Sequence, residues 1–89
     1  MKHRYLEVTF RRGRPIAAYL HLPRRPGDHS ERTSPAAPGL VVDYAAGGRP
    51  IGVEITTPRT VTLAAVNRVL TRLKLPPLDP EELSPLVAA

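Results

Sequence analysis

Along the first ten residues Leu6, Val8 and Phe10 alternate with Tyr5, Glu7 and Thr9, the two-residue period of a strand with one face turned to a core. In the "RRGRP" that follows, Gly13 is free to take positive φ and Pro15 holds its predecessor extended, so the chain turns. Ile16, Ala18, Leu20 and Leu22 then share one face against Ala17, Tyr19 and His21. The pattern predicts a hairpin of strands near 4–10 and 16–22.

A second alternating pair begins at Leu40. Leu40, Val42 and Tyr44 oppose Val41 and Asp43, and Ile51, Val53 and Ile55 oppose Gly52 and Glu54. A two-residue type I′ turn at Gly47 and Gly48 pairs Tyr44 with Ile51, Val42 with Val53 and Leu40 with Ile55, which puts every apolar side chain on one face. The glycine pair could also be read as a phosphate-gripping loop. That reading needs a helix after the glycines, whereas a strand pattern follows, and "GGRP" has the spacing of neither nucleotide fingerprint.

The remaining segments lack the two-residue period. Pro23 to Gly39 has four prolines and a polar or charged middle, which predicts a flexible loop over 23–39. Leu63, Val66, Leu70 and Leu73 recur at helical spacing, predicting a helix near 62–73 that Thr60 or Thr62 caps and Pro76-Pro77 stops. Asp79 as cap, Pro80 at the first helical position, and Glu81 and Glu82 in the first turn predict a short helix through Leu86. The expected fold is α+β in a single domain over 1–89. It has a four-stranded antiparallel sheet of two hairpins between 4 and 55, with a helix on its apolar face and a helical tail over 60–89.

Composition narrows the setting. With no cysteine, neither a disulfide framework nor a thiolate metal site is available. No apolar run approaches the roughly 20 residues needed to span a bilayer, and the N-terminus has no continuous signal-peptide core, so a cytoplasmic protein without membrane contact is expected. In a chain of 89 residues the core is small and the sheet edges have no evident cover, which favours a homodimer formed through an edge or the polar face.

The net charge of +5 is uneven: residues 1–32 hold eight Lys or Arg against three acids, and residues 33–89 hold five against five. The excess comprises Lys2, Arg4, Arg11, Arg12, Arg14, Arg24, Arg25 and Arg32. Of these, Arg11, Arg12, Arg14, Arg24 and Arg25 flank the first two strands and are candidates for gripping phosphates or acidic proteins. Aromatic residues are 4% of the chain and Trp is absent, which leaves little for stacking on single-stranded bases.

The same period puts Tyr5, Glu7, Tyr19, His21, Asp43 and Glu54 on the face opposite the core. A carboxylate beside His21 can orient and charge the imidazole. No Ser or Cys nucleophile has an evident place beside it, so a solvated face or a wet interface is the plainer account. His3, His21 and His29 fit no metal-ligand spacing and no nucleotide fingerprint is present, so neither a metal nor a cofactor is implied.

"AAYLHL" followed by "LVVDYAAGGRPIGVEI" resembles the small bacterial family called domain of unknown function 2283. Its members carry an Ala-Tyr-Ile or Leu-Tyr-Ile strand, a Val-Asp-Tyr strand, a glycine-containing turn and a closing Gly-Ile-Glu-Ile strand. Those positions here are Ala18, Tyr19 and Leu20; Val42, Asp43 and Tyr44; Gly48; and Gly52, Val53, Glu54 and Ile55. The resemblance runs from Tyr5 to Ile55 and is looser over the tail. The family's acidic turn before the Tyr strand is replaced by the basic "RRGRP". Family members are similar in size and setting to antitoxins, which implies a small toxin-like protein partner. The expected function is therefore a non-enzymatic, antitoxin-like protein-interaction module using Tyr19, His21, Asp43 and Glu54. The alternative is a nucleic-acid-binding accessory protein using the N-terminal arginines.

Overall fold

A computed structural model describes residues 3–87; Lys2 and the last two residues of the expected tail lie outside them. The chain builds a five-stranded antiparallel sheet in the order β1-β2-β5-β4-β3. Its strands are β1 (Tyr5–Arg11), β2 (Arg14–His21), β3 (Arg32–Ala37), β4 (Leu40–Tyr44) and β5 (Pro50–Ile55). Helix α1 (Leu63–Arg72) and a short tail ending in α2 (Ser84–Val87) complete the α+β fold.

The first hairpin forms as expected, except at its turn. Arg12 and Gly13 both have positive φ, 53° and 75°, as a two-residue type I′ turn demands. A bulge follows, since Thr9 pairs with Ala17 while Phe10 pairs with Pro15. The extra residue, Ile16, is turned out of the face predicted for it: Pro15 is buried, and Ile16 stays half-exposed, as does Phe10. A bulge shifts parity by one residue, so every alternation argument fails locally there.

In the second hairpin Leu40 pairs with Ile55 and Val42 with Val53, as the pattern requires. Tyr44 pairs with Pro50 rather than Ile51, because a bulge sits at Asp43 and Tyr44 and the connection is longer than two residues. Ala46–Gly48 is a single 3-10 turn, closed by hydrogen bonds from Ala45 N to Arg49 O (2.8 Å) and from Gly48 N to Ala45 O (3.0 Å). Gly47 and Gly48 both lie at φ 85°, so the glycines do serve the turn.

The segment 23–39 departs most from expectation, since it contains a fifth strand. Arg25 to Asp28 turns with Gly27 at φ 84° and a bond from Asp28 N to Arg25 O (3.1 Å), the features of a Pro-Gly type II turn. Asp28 then receives a two-pronged contact from Arg49, 2.5 and 2.9 Å. That guanidinium, with the Arg25 N–H, holds the Asp28 carboxyl well below the usual carboxylate range. Beyond it β3 pairs with β4 from Arg32–Tyr44 to Ala37–Leu40. Pro35 is tolerated because β3 is an edge strand.

One face of the sheet is the core. Leu20, Val42, Val53 and Ile55 meet Val66, Val69 and Leu70 of α1 there, all of them 2% exposed or less. Thr62 caps α1 by accepting from Ala65 N (3.1 Å). The helix closes with paired bonds from Lys74 N to Thr71 O and Leu75 N to Leu70 O, a Schellman arrangement with Lys74 at φ 61°. Asn67 then holds Leu78 through both its backbone groups (2.7 and 3.2 Å), and Leu78, Leu83 and Leu86 add to the core. Arg4 fastens this tail to the start of β1. Its guanidinium donates to Glu82 Oε2 (2.9 Å), to Pro76 O and to Pro77 O, and it draws the Glu82 carboxyl below its ordinary pKa.

Candidate functional site

The register aligns two rows of side chains on the face that α1 leaves uncovered. One row crosses the sheet as Tyr5, His21, Gly52, Asp43 and Thr33, and the next as Glu7, Tyr19, Glu54, Val41 and Pro35. Cross-strand neighbours on one face lie about 5 Å apart, so side chains remote in sequence meet here.

Tyr19 links the rows. Its ring lies over Gly52, where a Cβ would overlap the phenol oxygen and ring carbons, and its hydroxyl donates to Asp43 Oδ2 (2.7 Å). The absence of a side chain at Gly52 is what allows Tyr19 to reach two strands across. Arg24, just beyond β2, donates to the same hydroxyl at 3.3 Å. Burial raises the pKa of the Tyr19 phenol, the Asp43 hydrogen bond and charge add to that, and Arg24 opposes it; the value is pushed up to about 12. The hydroxyl is therefore a fixed donor near neutral pH, not a base.

His21 is held on three sides. Its ring stacks on Tyr5 at 4.4 Å and 13°, meets Tyr19 edge-on at 4.6 Å, and its Nε2 lies 2.8 Å from Glu7 Oε1. A protonated imidazole at this position is paired with a carboxylate. Tyr19, His21 and Asp43 are thus brought together as their parity implies. Glu54 shares the face but is exposed, and its side chain makes no hydrogen bond or ion pair among the described residues. Gly52 as a platform was not legible beforehand, because it depends on the β2–β5 register, and neither was Arg24 as a partner of Tyr19, which depends on how the chain leaves β2.

The arginines divide. Arg11, Arg12 and Arg14 lie at the β1–β2 turn, whereas Arg24 and Arg25 follow the opposite end of β2, about 25 Å away at the usual rise per residue. They do not make one patch. Arg59, outside the expected set, joins the first three in lining a common cleft. His29 pairs with Glu31 at 2.9 Å on the exposed surface, and among the described residues no three His, Asp or Glu side chains are grouped to hold a metal. No helix among the described residues is long and apolar enough to cross a membrane.

This face lies almost entirely within the part of the chain that can be compared with other proteins. Residues 17–57 match the family model described as protein of unknown function, DUF2283. The match takes in β2 from Ala17 onward and all of β3 to β5, with Tyr19, His21, Asp43, Gly52 and Glu54. It begins after β1, which the resemblance had been expected to include, and it ends before Arg59 and α1. No curated protein and no solved structure matches the chain.

Proposed function

We propose that this protein is a non-enzymatic, antitoxin-like interaction module that holds a small protein partner against its open sheet face, and that it self-associates through a sheet edge or that face. The observation that carries the reading is the network of Tyr19, His21, Asp43 and Glu7, whose polar atoms are satisfied by one another on paired strands. Side chains fixed before contact lose little entropy when a partner arrives, and half-exposed Tyr5 supplies an aromatic anchor beside them. Glu7, Asp43 and Glu54 outnumber the Arg24 cation on this face, so the partner should present basic side chains.

Combined replacement of His21, Asp43 and Glu54 by Ala tests this. The variant is expected to keep a cooperative melt and to lose at least about tenfold in affinity for its partner, measured on the small protein co-purified from the neighbouring gene. A hydrolytic or transfer activity present in the wild type and lost from this folded variant would show the face to be an active site and end the proposal. Self-association is checked by sedimentation, where a monomer at high micromolar concentration removes that part of it. The alternative, nucleic-acid contact through Arg11, Arg12, Arg14, Arg24 and Arg25, is favoured by the clustering of the first three and weakened by the distance of the last two.

A further inference from the structure

Most arginines whose contacts define this fold have partners. Arg4 holds Glu82, Arg49 holds Asp28, Arg72 donates to the Ala36 carbonyl at 2.9 Å, and Arg32 lies 4.1 Å above the Tyr44 ring. Arg11, Arg12, Arg14 and Arg59 are different. They converge on a cleft of about 720 Å³ between the β1–β2 turn and residues 56–60, and among the described residues no carboxylate pairs with any of them. None of the residues lining the cleft is acidic.

Two further observations make this more than a solvated hairpin tip. Arg12 occupies the left-handed region at φ 53°, at a turn position that favours Asn, Asp or Gly. A cation is thus held in an unfavourable backbone geometry at the cleft mouth, a kind of local cost that concentrates at binding sites. The cleft walls are also mixed in character: Thr56 and Thr60 line it together with Pro15, Ile16 and Pro58, and Ile16 is half-exposed only because the bulge turns it outward.

We infer that this cleft binds a small phosphate ester carrying its charge on an apolar body, the chemistry of a nucleoside di- or triphosphate. Guanidinium forks match phosphate oxygens, four of them together can neutralise a polyphosphate, and the proline and isoleucine wall accepts a ring. The volume suits one such molecule. A nucleic-acid strand fits less well, because it needs cations strung along its path and the arginines that next follow Arg14 lie at the far end of β2. The inference does not depend on the partner-binding role of the open face, which is a separate surface.

The test titrates the full chain at low salt with ATP, pyrophosphate, adenosine and a single-stranded oligonucleotide, following backbone amide resonances. The expected result is saturable movement by ATP of residues 11–16 and 56–60, weaker binding of pyrophosphate and none of adenosine. Combined Arg12→Asn and Arg59→Gln should lower ATP affinity at least about tenfold, while the melting temperature stays level or rises, because Asn suits the turn better than Arg. No saturable movement at millimolar ATP would overturn the inference, as would undiminished affinity in the double variant. Tighter binding of the oligonucleotide than of ATP, with resonances of Arg24 and Arg25 moving too, would assign the cleft to nucleic acid instead.

Discussion

The two faces of this one sheet are stabilised by different physics. On the covered face Leu20, Val42, Val53 and Ile55 lose their water to α1 and the tail, and the gain is non-directional, proportional to apolar area. On the open face a single ring shields Gly52, and the polar atoms are held by directional contacts: Tyr19 to Asp43, His21 to Glu7 and Arg24 to Tyr19. The first arrangement tolerates apolar exchange of similar volume but no charge. The second tolerates exposure but not a change of shape at Gly52.

Substitutions at Val53, Gly52, Tyr19 and Asp43 probe that contrast. Val53→Asp puts an unpaired charge between β2, β4 and α1, where Val53 is 0% exposed. The cost of roughly 4 kcal/mol or more approaches the whole stability of a domain this size, about 4 to 13 kcal/mol. Circular dichroism should show no cooperative melt at ambient temperature; a retained transition would mean that the covered and open faces have been exchanged.

Gly52→Ala acts from the other side of the same strand. Its Cβ overlaps Tyr19, so the ring must leave Asp43 or the strand must shift, at about 1 to 3 kcal/mol by overpacking. Adding Tyr19→Ala should restore part of the loss, because the two positions share one contact. Denaturant midpoints for the two single variants and the double variant measure this, and strictly additive effects would dissociate Gly52 from Tyr19.

The smallest effect concerns the phenol. Removing one hydroxyl in Tyr19→Phe should cost about 1 kcal/mol near neutral pH. The folded phenol ionises near 12 rather than its ordinary 10. The stability tied to its protonated form is therefore complete below pH 10 and is lost as pH climbs towards 12. Asp43→Asn should move the titration back towards its ordinary range, since a negative charge beside the phenol is gone. Phenolate absorbance against pH checks both variants, and identical alkaline titrations in wild type and Tyr19→Phe would refute the assignment.

The family match bears on this contrast. Residues 17–57 include both the alternating apolar positions and the residues of the open-face network, apart from Tyr5 and Glu7. They exclude Arg59 and all three arginines of the β1–β2 turn, Arg11, Arg12 and Arg14. The four arginines of the cleft thus lie outside the matched segment, while the proposed partner face lies largely within it.

Much of the sheet was legible from period alone, because a half-buried strand must alternate. Leu40, Val42, Val53 and Ile55 could satisfy one core only in the register observed. The caps at Thr62 and Asp79 were legible for a similar reason, since an orphan helix terminus needs a local acceptor. What sequence could not show depended on neighbours remote in the chain. β3 has no alternation because an edge strand is held largely by backbone bonds to one partner, which leave no mark on side-chain type. The bulges at Phe10 and Tyr44 shift parity without a composition signal. Tyr19 over Gly52, Arg4 on the tail and Arg59 beside the β1–β2 turn arise only when strands and loops have been brought together. Sequence by itself determined which residues could face a core and where most elements begin and end, through local sterics and hydrophobic period. Tertiary structure alone decided which polar and charged groups meet, because those contacts are set by strand order and register, and neither is encoded within any one segment.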